Sequence, residues 1–442
     1  MSPPSSIPTR AGKFAASLVL SPITTLLFLF LDFLDAVLCL VFRVLDVFLD
    51  GAAPPCYCRG DGSSRNEVLS GSLCRRRNVF REMGLFRVVG KLIAFRKDGG
   101  GDSPGGLTRW SDCRCDSCVS WSWDNAVKRR RRVLHTVVWE PERTENSKPM
   151  KRPENVIFLH GFLSSSSLWT ETVFPNLSEE GKANYRLFAV DLLGFGRSPK
   201  PHDCLYTLSD HVEAIERSVI HSKGLDSFHL VAHSMGCIIA LALATKHSKS
   251  VKSITLIAPP YFSDEKDDAS MTYLQMLAEK RLWPPLIFAS AVMSWYEHVG
   301  RCVCFVICRN HRTWERILRA VTRKRDLHFM LIDLTRHTHH SAWHTMHNLI
   351  CGGAKFGDDF LNALCSADSK ICIMHGDNDS VVPIKCSKNM RTRIPHAEFI
   401  VVPRANHSMV ILGREKVFTQ KLECVWREHP RISSGTDDGY WG

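Results

Sequence analysis

Three side-chain types at distant positions in this chain together have the chemistry of acyl transfer. Ser234 stands in Ala232-His233-Ser234-Met235-Gly236, His407 in Asn406-His407-Ser408, and two acids, Asp377 and Asp379, between His375 and Pro383. A serine hydroxyl is a poor nucleophile at neutral pH, so an imidazole must take its proton and a carboxylate must orient the imidazole. The chain supplies nucleophile, acid and histidine in that order, each after a short apolar run. A small-x-Ser-x-small match alone recurs by chance in a chain this long; the order and the loop positions carry the argument.

These residues need a framework. Phe228–Ala232 has the composition of a buried strand and Cys237–Thr245 that of a helix, which puts Ser234 at a sharp strand-to-helix turn. Such a turn strains the serine backbone, and strand and helix can pass only if the residues two before and two after it are small, as Ala232 and Gly236 are. It also aims the Met235 N–H at the point where the hydroxyl reacts. Val156–Leu159 reads as a second buried strand, ending in His160-Gly161-Phe162-Leu163. There the Phe162 N–H is the candidate second donor to a developing oxyanion, with the Leu163 N–H as the alternative and Gly161 permitting close approach. His160 reads equally well as a pocket-shaping hydrogen bonder or as a packed core residue.

Around these loops strand and helix patterns alternate. Val133–Trp139 reads as an edge strand, Ser164–Asn176 as a helix, Leu187–Val190 as a strand and Leu208–Ser222 as a helix. Ser253–Ile257, Ile371–Met374 and Glu398–Val402 read as strands, and Glu415–Arg427 as a closing helix. The alternation implies an α/β fold with a mostly parallel sheet and helices on both faces. In Asp191–Ser198 the glycines permit a tight loop, and Arg197 is expected to pair with Asp191 or a neighbouring carboxylate. From Tyr261 to about Ser369 the strand pattern stops and the chain turns helical, aromatic and basic. Inserted between two core strands, such a segment would cover the strand ends near Ser234 as a lid whose apolar residues set acyl specificity. It carries His337, His339, His340, His344 and His347, which without a carboxylate at matching spacing read as a packed or solvated helix face rather than a metal site.

Composition sets the outer limits. At 442 residues with 44% hydrophobic content, the chain can form one large α/β domain with appendages. The formal charge of +12 is concentrated in part at Arg75–Arg77 and Lys128–Arg132, which suits an anionic surface or a solvated linker. No nucleic-acid-binding signature accompanies it, so no nucleic-acid partner is expected. The 17 cysteines include Cys113/Cys115/Cys118 and Cys302/Cys304/Cys308. Neither group finds a second cysteine cluster at zinc-ribbon spacing, so neither a metal nor a cofactor is expected.

Phe14–Leu31 carries no charge and is long enough to cross a bilayer, with Arg10 and Lys13 as a basic flank. The alternative is an amphipathic hairpin packed on the enzyme, because Asp32, Asp35, Arg43, Asp46 and Asp50 punctuate the apolar run beyond it. Cys56 and Cys58, a few residues further on, are candidates for lipidation. The expected organisation is an export signal or membrane anchor at 1–50 and a Cys/Arg/Gly-rich linker at 51–132. A catalytic core at 133–261 and 370–428 comes next, with a helical lid at 262–369 and a flexible tail at 429–442.

HGFLSSSSLWTETVFPN (His160–Asn176), LVAHSMGCIIALALA (Leu230–Ala244), HGDNDSVVPI (His375–Ile384) and NHSMVI (Asn406–Ile411) together resemble the α/β-hydrolase superfamily. With the long apolar N-terminus and the cysteine-rich linker, the chain looks like the plant Bodyguard family of lysophospholipase-like hydrolases. The resemblance implies the α/β-hydrolase fold and favours Asp379 over Asp377 through its Gly-x-x-Asp-x-x-x-Pro spacing. It also implies a plasma-membrane or cell-wall protein of the epidermis that acts on lipid esters or cutin precursors in forming the cuticle. Hydrolysis and acyl transfer to a second hydroxyl use the same residues, and a receptor on an idle hydrolase scaffold is the alternative of a different class. Epoxide hydrolase and dehalogenase chemistry is disfavoured, because those relatives of the fold carry aspartate where this chain has Ser234.

Overall fold

Strands form where apolar residues run without interruption. In the computed structural model they build one seven-stranded sheet of order β1-β3-β2-β4-β5-β6-β7. The structure describes residues 10–51, 80, 109–115, 118, 133–141, 152–262, 292–353, 356–366 and 369–427, with side chains of the first helix described from Leu26 onward. The strands are β1 (Thr136–Trp139), β2 (Glu154–Leu159), β3 (Tyr185–Val190), β4 (Phe228–His233), β5 (Val251–Ile257), β6 (Lys370–Gly376) and β7 (Glu398–Val402). Only β1 is antiparallel, along β3 at the sheet edge, where its four residues are half-buried. The fold is that of an α/β-hydrolase.

The central strands are apolar throughout because both sheet faces are covered. In β2, Ile157 and Leu159 enter one core with Leu230, Ile254 and the helix Met235–Lys246, while Val156 and Phe158 enter the other with Trp169, Phe174 and Trp426. Period-two alternation thus splits one strand between two cores. Because β2 to β7 run parallel, the loops after them gather on one edge. Those loops hold His160, Ser234, Asp379 and His407.

Two local expectations change. Ser164–Asn176 is not one helix: a short helix at Ser167–Thr170 is followed by a 3₁₀ turn at Phe174–Asn176. Pro175 stands in that turn, and a proline ring clashes with the preceding helical turn and removes an N–H. Arg197 does engage Asp191, but through its backbone N–H at 2.7 Å, while the residue itself is exposed. The Asp191 carboxylate also accepts from the Ser166 N–H at 2.6 Å and lies 3.2 Å from His135 Nδ1.

Between β5 and β6 the described residues form helices and turns and no strand, including Glu297–Val306, His311–Thr322, His339–His344 and a π-helical stretch at Thr345–Cys351. The N-terminal segment is a single helix, Arg10–Leu49, whose second half packs on Glu297–Val306. Asp35 accepts from the N–H groups of His298 (2.8 Å) and Val299 (3.2 Å), capping that helix from outside. Asp46 takes both terminal nitrogens of Arg301, at 2.7 and 2.5 Å, and also the Trp110 indole N–H at 2.7 Å. Two of the acids that interrupt the apolar pattern, Asp35 and Asp46, are therefore buried partners of the insertion. Among the described residues no helix is long and apolar enough to cross a membrane. The side chains of Phe14–Thr25, both basic clusters, Cys56 and Cys58 lie outside the described residues.

Candidate active site

Ser234 leaves β4 with φ 52° and ψ −121°, a region that costs a non-glycine residue roughly 1–3 kcal/mol. Hydrogen bonds on both sides hold it there: its N–H donates to the Ile257 carbonyl at 2.8 Å and its carbonyl accepts from Cys237 N–H at 2.9 Å. The loops after three other strands of the same edge also hold a non-glycine residue at positive φ, Leu163 after β2 (φ 55°), Ala258 after β5 (φ 50°) and Arg404 after β7 (φ 54°). The small-residue requirement is met tightly. A Cβ on Gly236 would lie 2.7 Å from the His160 carbonyl oxygen and 2.8 Å from that of Leu159, so only glycine lets this helix start so close to β2. Met235 is the first helical residue, and first-turn N–H groups have no partner within their helix.

The loop after β2 comes against the serine. A Cβ on Gly161 would lie 3.2 Å from Ser234 Cβ. His160 is fully buried, and its Nε2 accepts from the Leu192 N–H at 2.9 Å, so its Nδ1–H donates to the Gly161 carbonyl at 2.7 Å. Burial pushes this imidazole below its usual pKa and keeps it neutral, as that pattern requires. The Gly161 carbonyl and the Phe162 N–H belong to one planar trans peptide and point opposite ways. His160 thereby sets the direction of the Phe162 N–H. His160 is thus a buried core histidine with both ring nitrogens bonded to backbone groups.

The acid and histidine loops are joined at their backbones. Asp377 N–H donates to the Val402 carbonyl at 3.2 Å and Asn378 N–H to that of Ala405 at 3.1 Å. A Cβ on Gly376 would lie 2.2 Å from the Ala405 carbonyl oxygen, so the glycine makes this approach possible. Asp379 Oδ2 then accepts from His407 Nδ1–H at 2.7 Å, and its Oδ1 from the N–H groups of Val381 (2.8 Å) and Val382 (2.9 Å). Asp377 is exposed and makes no side-chain contact of this kind among the described residues. Burial alone would raise the Asp379 carboxyl; hydrogen bonds from His375 and His407 outweigh it and hold the group well below the carboxylate range.

Residues 154–283 match the alpha/beta hydrolase fold family. The chain is 48% identical over 410 residues to the probable lysophospholipase BODYGUARD 4 of Arabidopsis thaliana, covering 91% of this chain and 95% of that one. It is 39% identical over 454 residues to the probable lysophospholipase BODYGUARD 1 of the same plant, covering 90% and 94%. The chain belongs to the Bodyguard family. A solved structure, the alpha/beta hydrolase enzyme MGS-M2 from a Medee basin deep-sea metagenome library, is 16% identical with a TM-score of 0.45, covering 68% of this chain and 96% of that one.

Two histidines of this Bodyguard-family site escaped the sequence reading. His375, fully buried at the end of β6, bonds Ser387 Oγ at 2.6 Å and, through Nε2, the Val382 carbonyl at 2.9 Å, with Asp379 Oδ2 at 3.3 Å. It braces the acid from behind. His233, next to the serine, donates from Nε2 to the His407 carbonyl at 3.1 Å, and the two rings lie 4.8 Å apart. Burial and the neighbouring His407 push His233 down to about 3. Each stands beside a residue already singled out, at His375-Gly376 and His233-Ser234, which was the available signal.

Beside the β2 loop a pocket of about 60 Å³ is lined by Phe162, Leu163, Met293, Cys304, Trp343 and Met346, mostly apolar. Of the histidines that line up in the insertion, His340 bonds the Cys204 carbonyl at 2.9 Å and His347 that of Ser294 at 3.0 Å, while His344 meets Asn348 at 3.3 Å. These serve packing. His337 instead meets the sulfurs of Cys304 and Cys308 at 3.6 and 3.5 Å.

Proposed function

We propose that this protein is a serine carboxylic-ester hydrolase acting on lipid or hydroxy-fatty-acid esters. The observation that carries the reading is the 2.7 Å hydrogen bond from His407 Nδ1 to Asp379, with Ser234 strained at a strand-to-helix turn and its chain neighbour His233 bonded to the His407 carbonyl. With Nδ1 committed to the carboxylate, Nε2 is the nitrogen left to act as base. Ser234 Oγ attacks the ester carbonyl as His407 Nε2 takes its proton, and Asp379 stabilises the imidazolium. The Met235 and Phe162 N–H groups donate to the oxyanion, Phe162 rather than Leu163 because His160 orients its peptide. The tetrahedral species collapses as His407 protonates the leaving alcohol, and water then frees the acid by the same steps in reverse.

The apolar pocket beside Phe162 and Leu163 favours an acyl chain, and the helical insertion that forms most of its wall acts as the lid. The family's probable lysophospholipases support a lipid ester as substrate, and a cuticle precursor in the plant cell wall fits the same chemistry. A lipid or wall surface as the working location has support in the exposed Leu26, Phe30 and Phe48 of the N-terminal helix, and in His311–Thr322, where Trp314, Ile317 and Val321 are exposed among arginines. A fluorophosphonate probe should label the wild type and leave Ser234→Ala unlabelled; a folded wild type that resists labelling overturns the enzyme reading. Profiling glycerolipid, lysophospholipid and hydroxy-fatty-acid esters then fixes the substrate, and product analysis with added alcohol acceptors separates hydrolysis from transfer.

A further inference from the structure

Cys113, Cys115 and Cys118 precede the sheet, and His311 opens a helix in the insertion, 193 residues beyond Cys118. Their ligand atoms nevertheless converge, all within 4.8 Å of one another. The sulfurs of Cys115 and Cys118 each stand 3.5 Å from His311 Nε2. A zinc ion holding sulfur at about 2.3 Å and imidazole nitrogen at about 2.0–2.1 Å in a tetrahedron sets those atoms about 3.5–3.6 Å apart. The two separations agree.

The surroundings suit a metal ligand set. His311 Nδ1 faces Glu315 Oε1 at 3.2 Å, which leaves Nε2 as the ligating atom and places a carboxylate behind the imidazole. Cys118 N–H donates to the Cys115 carbonyl at 2.9 Å, and Cys115 N–H approaches Cys113 Sγ at 3.5 Å, so the chain doubles back and turns its sulfurs to one side. None of the three cysteines is in a disulfide. Lys200 lines the same cavity, where a protonated side chain would offset the net negative charge of a zinc held by three thiolates. Thiolate with imidazole selects zinc over magnesium or calcium, which prefer oxygen.

We propose that Cys113, Cys115, Cys118 and His311 hold a structural zinc ion. Four protein ligands close the coordination sphere, which suits a structural rather than a catalytic metal. The ion joins the segment before the sheet to the insertion. Trp110 already ties that segment to Asp46 and Asp50 of the N-terminal helix, so the zinc completes a junction of three stretches distant in sequence. Cys304, Cys308 and His337 form a three-ligand group across the same cavity; it lacks a fourth ligand among the described residues and is no part of the proposal.

The full-length protein, purified without chelators, should carry zinc by elemental mass spectrometry, and Cys118→Ser and His311→Ala should each lose about one equivalent per chain. Cys365→Ser, at an exposed cysteine outside the group, should lose none. Cobalt(II) exchanged into the wild type should give the intense visible bands of a tetrahedral thiolate site, a measurement independent of how well the variants fold. The proposal is overturned if the wild type holds no zinc and takes none up from equimolar zinc(II). A folded Cys118→Ser with unchanged metal content, or peptide mapping of a disulfide joining two of Cys113, Cys115 and Cys118, overturns it equally.

Discussion

At the strand ends His407 is partly exposed and held by a carboxylate at 2.7 Å, whereas in the helical insertion His344 and His347 are buried and partnered by an amide and a carbonyl. Burial pushes His347 down to about 4 and His344 to about 2, so both stay neutral near neutral pH. A histidine that must accept and return a proton needs a partner that stabilises its charged form and some access to solvent. His407 has both. The insertion holds the more conspicuous histidine cluster in the sequence, yet the proposed mechanism uses a single histidine in a short loop. Partner and exposure separate the two regions; abundance does not.

The sharpest way to break this contrast is at the acid. Asp379→Asn should lower kcat for ester hydrolysis by about 10⁴-fold, because the amide no longer selects the imidazole tautomer. Asp377→Asn, at an exposed position, should leave the rate near wild type, and the reverse outcome in steady-state kinetics would reassign the acid. In the helical region the corresponding charge is the Arg301–Asp46 pair, with side chains only 7% and 3% exposed. Arg301→Met should destabilise the fold by about 3–5 kcal/mol in denaturant unfolding, because it strands a buried carboxylate. Changing Asp46 to leucine in the same chain should recover much of that loss.

Gly236→Ala tests the corner without touching a titratable group. Its methyl would meet the Leu159 and His160 carbonyls, so the expected cost is roughly 1–3 kcal/mol with a fall in ester turnover. The smallest expected effect is the pH dependence. His347 has a folded pKa of about 4, below its unfolded value near 6.5, so the unfolded chain binds the extra proton first. Stability of the helical region should therefore decline as pH falls from about 6.5 towards about 4. Asp379 is depressed below the usual carboxylate value, so its contribution is present above about 3.9 and lost only as pH falls further. Hydrogen exchange corrected for intrinsic rates should show 339–351 loosening at a higher pH than 369–410, and simultaneous loosening would erase the distinction.

Much of the site was legible because its signals are local. The turn at Ser234 needs small residues at fixed offsets, and apolar runs mark each strand that delivers a loop to the edge, with β7 and the last helix beginning and ending at the expected residues. The helix expected at Leu208–Ser222 runs from Leu208 to Ile220, with a π-helical end at Glu216–Ile220. The helix expected at Ser164–Asn176 failed for an equally local reason, the proline at 175.

The parallel α/β framework, the sharp turn at Ser234 and the order of the proposed nucleophile, acid and histidine can be read from the sequence, because periodicity and turn chemistry act over a few residues. The spacing already favoured Asp379 over Asp377, and the folded structure shows Asp379 reaching His407; that structure was needed to reveal His375 bracing Asp379 and Asp35 and Asp46 serving the insertion. It alone also brought His311 to three cysteines nearly two hundred residues earlier. Each of these is a single meeting between distant parts of the chain, and such a meeting leaves no period or spacing to read until the packing of helices and sheet brings the two ends together.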